Sequence, residues 1–324
     1  MNACSLGFVA LCLLAFSSGA LAQPIARPIP FTLPTRDTTT SPYLPQLPSE
    51  PAGSHGALNI GPDGHVHAAD GTRLKFFGTS LALTAEFLTG ADARLVTRRL
   101  RKLGFNAVKF VYNDNFGYDD ASFVKANDST GKPSKSSYLV NPPQFAKFDT
   151  LLFEMKKNGI YAFILLNSYH HYAQGEGVAY PDSEYSNAYL SQIFDPGVAA
   201  LQRKWAKTLL GHTNPLTGLR LADDPQIAVV ECNQEHSLFY YWTLDRLNYI
   251  DDNNKISKGK QTVSFWQSRF LDSSYNLYLK KRYGSDAALN SAWIGTGGAN
   301  TKNQMDNASF ENPASPVWAF ATRN

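Results

Sequence analysis

An α/β fold built on a parallel sheet is the class this sequence predicts, and three observations predict it. Four apolar runs are rich in β-branched or aromatic residues and bounded by turn residues: Leu74 to Gly78, "NAVKFVY" at 106 to 112, "IYAFILL" at 160 to 166 and "QIAVVEC" at 226 to 232. Amphipathic stretches separate them. Each run ends in polar residues. Continuous apolar strands alternating with helices have both faces covered, which leaves two architectures, a barrel or a doubly wound sheet.

The elements follow in order. The first 22 residues carry an apolar stretch from Leu6 to Phe16 and finish Ala20-Leu21-Ala22, the small-x-small pattern of a cleaved secretory signal peptide, although no Lys or Arg precedes it. The apolar stretch is shorter than the roughly 20 residues that span a bilayer, so no membrane association is expected after cleavage. Residues 23 to 56 are proline-rich and read as a linker or irregular lead-in. From 57 to 324 the chain reads as one barrel-like domain. It opens with two short alternating stretches around Asp70-Gly71, a turn pair suited to a hairpin.

The first helix keeps Leu95, Val96, Leu100 and Leu103 on one face and is closed by Gly104. The second carries Phe145, Phe148, Leu151, Leu152 and Met155 and ends near Gly159. The third begins at Asp195-Pro196, an N-cap followed by proline in the first turn, and runs through Leu201, Trp205 and Leu209. No glycine-rich phosphate loop follows the first strand, where "FFGTSLALTAEF" stands, which argues against a nucleotide site. A net charge of +3 over 324 residues gives no reason to expect a nucleic-acid partner. Cys4 and Cys12 lie in the signal segment, so Cys232 is alone in the mature chain and is expected to be a small buried packing residue.

In either architecture the chemistry lies at the carboxyl ends of the strands. Those ends read Thr79-Ser80, Tyr112-Asn113-Asp114, Asn167-Ser168-Tyr169-His170-His171 and Asn233-Gln234-Glu235-His236. Aromatic rings beside amides and carboxylates suit a sugar, because rings stack on its C–H face while polar groups bind its hydroxyls. Tyr112, Phe116, Tyr118, Tyr169, Tyr172 and the run Phe239 to Trp242 are the candidate platforms. For any one of them, core filling is the plainer role.

These segments resemble, in order, those of the (β/α)8 glycoside hydrolases of the cellulase and mannanase clan. "RLKFFGTSL" is similar to the first strand of that clan, "LRKLGFNAVKF" to its helix and second strand, "KKNGIYAFILLN" to its third strand, and "VVECNQEHSLF" to its fourth-strand motif. "YLKKRYGSDAALNSAW" at 278 to 293 is similar to a segment that follows the fourth strand in some bacterial members. The resemblance implies a TIM barrel of which residues 57 to 293 cover about the first half, and retaining hydrolysis of a β-linked polysaccharide without a cofactor. It makes Glu235 the general acid/base, puts Gln234 where the clan has an Asn on the sugar 2-hydroxyl, and makes Glu231 a structural carboxylate supported by Lys109. Asn167, Tyr112, Tyr169 and Trp242 would contact substrate.

Three positions depart from the clan: Lys109 replaces an Arg, Asn167 a frequent His, and Gln234 the Asn. The clan's nucleophile follows the seventh strand, and Glu311, in loop-like text, is the only glutamate after Glu235. The expectation is therefore a barrel fragment lacking its nucleophile segment, or one completed by a second chain. A carbohydrate-binding protein derived from the same fold is the alternative. A metal-dependent hydrolase using His65, His67, His170, His171 and His236 is less suited, because adjacent histidines point to opposite sides of a strand.

Overall fold

The structure is a computed structural model, and it describes residues 50–114, 119–132, 134–168, 170, 172, 176, 190–243 and 265–294. The signal segment, most of the lead-in, Phe116, Tyr118, Tyr169, His171 and Glu311 lie outside the described residues.

Four parallel strands form the central sheet: β3 (Gly78–Ala82), β4 (Ala107–Val111), β5 (Tyr161–Leu165) and β8 (Ile227–Glu231), in the order β3-β4-β5-β8. Sequence order and spatial order coincide, with no reversal. A doubly wound sheet needs such a reversal, whereas a (β/α) barrel adds each strand beside the last, so the α/β architecture is of the barrel type. Helices α1 (Gly90–Lys102), α2 (Pro142–Lys157) and α3 (Pro196–Gly211) make the three connections. Before the sheet stands the hairpin β1 (Leu58–Ile60) and β2 (Val66–Ala68), and the ribbon β6 (Thr213–Asn214) and β7 (Leu219–Arg220) precedes β8. Helices α4 (Leu238–Thr243), α5 (Phe265–Tyr283) and α6 (Asp286–Ile294) follow. Among the described residues, no helix is long and apolar enough to cross a membrane.

Helix boundaries obey local chemistry. The Thr89 hydroxyl accepts from Asp92 N–H at the start of α1, and the Asp195 carboxylate accepts from Gly197 and Val198 N–H at the start of α3. After α1 the chain turns through Gly104 at φ 87°, a left-handed position that costs glycine nothing. The core lies on the helix side of the sheet, where Val108 and Phe110 of β4 and Ala162 and Ile164 of β5 meet Phe148, Leu151, Met155, Trp205 and Leu209. On the opposite face Phe76 packs edge-on to Tyr161 and Phe163, with ring centroids 5.6 and 5.2 Å away.

Three expectations are corrected. The first strand begins at Gly78 rather than Leu74, because the Asn106 side chain captures the preceding backbone. Its Oδ1 accepts from Phe77 N–H at 2.7 Å and its Nδ2 donates to Lys75 O at 2.7 Å, so the regular ladder starts where Ala107 pairs with Gly78. Thr79 and Ser80 are thus inside the strand and not at its end. The β1–β2 hairpin turns at residues 61 to 65, while Asp70-Gly71 makes a second turn that brings Arg73 back beside His67. Cys232 is exposed. It follows β8, which lies at the edge of the sheet among the described residues.

The end of the lead-in is packed as well. Ala52 is buried and its N–H donates to Lys156 O at 2.9 Å, while Gly53, at φ 83°, lies so close to Pro225 that a Cβ there would come within 2.8 Å of its carbonyl carbon.

Candidate functional site

Parallel strands bring all four carboxyl ends to one edge of the sheet, and that edge is where the polar residues collect. β3 passes into a single 3-10 turn, Leu83–Glu86, that carries Glu86 back over the end of β4. There it is fully buried, and its Oε1 accepts from Val111 N–H at 2.7 Å while Oε2 has no hydrogen-bond partner among the described residues. Burial, reinforced by the nearby charge of Asp114, pushes the Glu86 carboxyl well above the usual carboxylate range.

Asp114 ties β4 to β5. It is fully buried and accepts from Ser168 N–H at 3.0 Å and from the Ser168 hydroxyl at 2.5 Å, and its own carbonyl accepts from His170 Nδ1 at 3.1 Å. The His170 ring stacks on Tyr138 at 4.1 Å, and Tyr138 stacks on Trp205 at 5.2 Å, which anchors this edge to α3.

The end of β5 is in turn tied to the segment after β8. Asn167 O accepts from Gln234 N–H at 3.1 Å, and Asn167 Nδ2 donates to Asn233 Oδ1 at 3.2 Å and to His236 Nδ1 at 3.4 Å. His236 Nε2 donates to Ser168 O at 3.1 Å, and Gln192 Nε2 donates to His236 Nδ1. Burial holds the His236 pKa below the usual imidazole value; the Ser168 carbonyl and the charges of Asp114 and Glu235 oppose that shift without overcoming it.

The backbone at this edge is in an uncommon conformation. Among the described residues, the non-glycine residues with positive φ are Leu83 at 55°, Tyr112 at 65° and Glu235 at 60°. Leu83 and Tyr112 directly follow β3 and β4, and Glu235 lies four residues beyond the last residue of β8. Left-handed backbone costs an L-residue roughly 1 to 2 kcal/mol, and it persists where surrounding contacts over-determine it. Its recurrence at three strand ends marks this edge as the place where the fold tolerates strain.

Inside the sheet, Lys109 Nζ lies 2.5 Å from Glu231 Oε2, both side chains about one-third exposed (31 and 34%). The pair crosses β5: Lys109 aligns with Phe163, and a bulge between Ala162 and Phe163 sets Glu231 beside Leu165, so that both charges point to the face away from the helices. The structure therefore brings together Lys109 and Glu231, and separately Asn167, Asn233 and Gln234. Glu235 is exposed at the carboxyl edge, Tyr112 is half-buried, and Gln234 Oε1 is buried without a partner among the described residues. Phe239 and Tyr240 are exposed on α4. Tyr169 and the Trp242 side chain lie outside the described residues.

Asp114, Ser168 and Glu86 carry much of this geometry, yet little in their local sequence marks them. Asp114 and Ser168 stand at strand ends among several equivalent polar residues, and Glu86 lies beyond an element whose boundaries are set by a distant asparagine. Among the described residues, no group of three or more His, Cys, Asp or Glu side chains could hold a metal ion. His67 instead bonds Asp63 at 3.0 Å and Gly71 O at 3.1 Å, and so stitches the early turns together.

No protein-family profile and no curated protein sequence matches the chain. Solved structures do. An endo-1,4-β-mannanase from Rhizomucor miehei aligns at 16% identity and a TM-score of 0.41, over 70% of this chain and 58% of its own. A glycoside hydrolase family 5 mannosidase from Rhizomucor miehei aligns at 15% and 0.40, over 58% and 52%. An endo-β-1,4-mannanase from Thermotoga petrophila aligns at 16% and 0.40, over 65% and 41%. The chain thus spans about half the length of the solved structures it matches. With likeness at this level, the fold assignment rests on the chain's own strand order and connections.

Proposed function

We propose that the chain is a secreted, glycoside hydrolase-like protein that acts on a polysaccharide, with Glu235 as the acid/base of a retaining mechanism. The observation that carries this reading is the position of Glu235: an exposed carboxylate at the carboxyl edge of a parallel sheet, on strained backbone, following a strand whose Glu231 is paired with Lys109. An acid in that place can protonate a leaving glycosidic oxygen and afterwards activate water. Gln234, Asn167, Tyr112, Tyr169 and Trp242 are the substrate contacts of this reading, and the leader at residues 1 to 22 supplies export.

A second reading, carbohydrate binding without cleavage, is favoured by the other strand-end carboxylates. Retaining hydrolysis needs a second carboxylate about 5 to 5.5 Å from the first. Glu86 and Asp114 are fully buried and Glu231 is paired, so none of the three presents a free carboxylate at the mouth. The hydrolase reading therefore needs a nucleophile from outside the described residues or from a second chain.

The test is expression of the chain beside Glu235→Gln, with reducing-sugar release from β-glucan and β-mannan and retention on the same glycans as readouts. Turnover that Glu235→Gln abolishes supports the hydrolase. Retention without turnover by either protein supports the binder. Neither turnover nor retention overturns both.

A further inference from the structure

On the helix side of the sheet, an open cleft of about 560 Å³ lies between α2 and α3, walled by Val140, Phe145 and Pro215 and bordered by Asp149, Lys207 and His212. Asp149 is buried, and its two carboxylate oxygens accept from His212 Nε2 at 2.8 and 3.0 Å. A carboxylate has no proton to give, so Nε2 carries it. Nδ1 of the same ring makes no hydrogen bond among the described residues, and the side chain is 24% exposed. That nitrogen accepts from a hydroxyl while the ring is neutral and donates to a carboxylate once the ring is protonated. In either state it suits a ligand that carries both groups.

Along α3 the cleft continues into a second hollow of about 440 Å³, which shares Lys207 and Thr208 with the first and adds Arg203 and Lys204. All three basic residues are exposed, and none forms an ion pair among the described residues. Nothing within α3 answers their charge, since "PGVAALQRKWAKTLLG" has no acid. Arg203 and Lys207 stand at i and i+4, where like charges destabilise a helix. The helix dipole does not account for them either: its pull on cations is confined to the last turn, and the last turn of α3 has no basic residue. The acid that borders the cleft is Asp149, whose oxygens are already engaged by His212.

We propose that this double cleft binds an acidic polysaccharide, a chain of sugar acids whose carboxylates lie on Arg203, Lys204 and Lys207. One sugar ring rests against Val140 and Pro215 and places a hydroxyl or carboxylate on His212 Nδ1. Arg203 and Lys207 are separated by about 6 Å along the helix axis, roughly the length of one sugar ring, so a repeating anion matches them where a single carboxylate does not. The apolar wall takes the C–H face of the ring. Duplex DNA meets the charge requirement alone, because its phosphodiester rails bring neither a hydroxyl nor an apolar face. The cleft shares no residue with the Glu235 edge and does not rest on the reading of that edge.

Titration of the full chain with polygalacturonate oligomers, followed by calorimetry and by the resonances of the His212 ring and the α3 amides, tests this. The expected result is binding that weakens as salt rises, with shifts at Lys207, Thr208 and His212. Lys207→Glu alters an exposed side chain, so it should fold as the parent does and bind about tenfold more weakly. The double variant Arg203→Gln, Lys204→Gln should lose a similar factor, and β-mannan oligomers should leave these resonances unmoved. Three results would overturn the proposal: no binding at low salt, binding indifferent to both variants, or duplex DNA or monomeric galacturonate bound as tightly as the oligomer. Any of them leaves the Glu235 reading standing, because that reading is tested by Glu235→Gln on neutral glycans.

Discussion

The central pair β4 and β5 and the edge strand β8 are written in the same alphabet and end in different environments. "AVKFV", "YAFIL" and "IAVVE" are all five-residue runs, apolar but for Lys109 and Glu231. In β4 and β5 every residue except Lys109 and Phe163 is buried, whereas Val229 and Val230 of β8 are each 41% exposed although they point to opposite faces. The helix side of β4 and β5 is covered by α2 and α3, and each has a strand on both sides. β8 has β5 on one side, and among the described residues no strand on the other. Apolar composition therefore selects a strand conformation, and neighbours decide how much of it is buried.

Truncation on the two strands should break this comparison most visibly. Phe110, fully buried against Phe148 at 4.8 Å, should cost about 3 to 5 kcal/mol as Phe110→Ala. Val230→Ala should cost about 1 kcal/mol or less, since much of its surface is already in water. Urea denaturation of both variants gives the ratio, and equal losses would mean that β8 is covered in solution.

Glu86 sharpens the contrast at the carboxyl edge. Glu86→Ala should cost about 2 to 3 kcal/mol, because Val111 N–H loses its acceptor in a dry site. Glu86→Gln keeps that acceptor and cannot ionise. A carboxyl whose folded pKa is raised stabilises the fold most below its unfolded value, and stability is lost as pH rises from there toward the folded value. Thermal melts between pH 4 and pH 8 should therefore show a downward trend in the parent that Glu86→Gln flattens.

The Lys109–Glu231 pair spans the two regions and, being about one-third exposed, should matter less. Lys109→Met should destabilise by about 1 kcal/mol, and adding Glu231→Leu should recover part of that, as removal of both charges leaves neither unpaired. A double-mutant cycle measures the coupling. The smallest effect should come from His236. Its lowered folded pKa contributes stability that is complete above the unfolded value near 6.5 and is lost as pH falls through the folded value. A stability loss in that window that His236→Gln removes would confirm the sign.

Much of the fold could be read from the sequence. Residues 106 to 112, 160 to 166 and 226 to 232 each contain the strand they predict, and the Asp195-Pro196 start and the Gly104 and Gly159 stops match the helix ends. The polar residues that close each run do gather at one edge, since parallel strands leave them no alternative. Less of the site could be read. Lys109 and Glu231 are 122 positions apart in number, and only the resemblance to a barrel clan put them side by side. Asp114 and Ser168 carry no signal that separates them from Asn113 and Asn167.

Residue periodicity, caps and turn glycines act within a few positions, so the sequence by itself determined the order of strands and helices and the polar character of the strand ends. Burial, backbone strain and tautomer depend on atoms from remote parts of the chain. The start of β3 was decided by Asn106, the raised pKa of Glu86 by its burial over the end of β4, the exposure of Val229 and Val230 by the place of β8 at the edge of the sheet among the described residues, and the proton on His236 Nε2 by the carbonyl of Ser168. Those were settled by tertiary structure alone, because a dry or strained environment exists only once distant segments close around it.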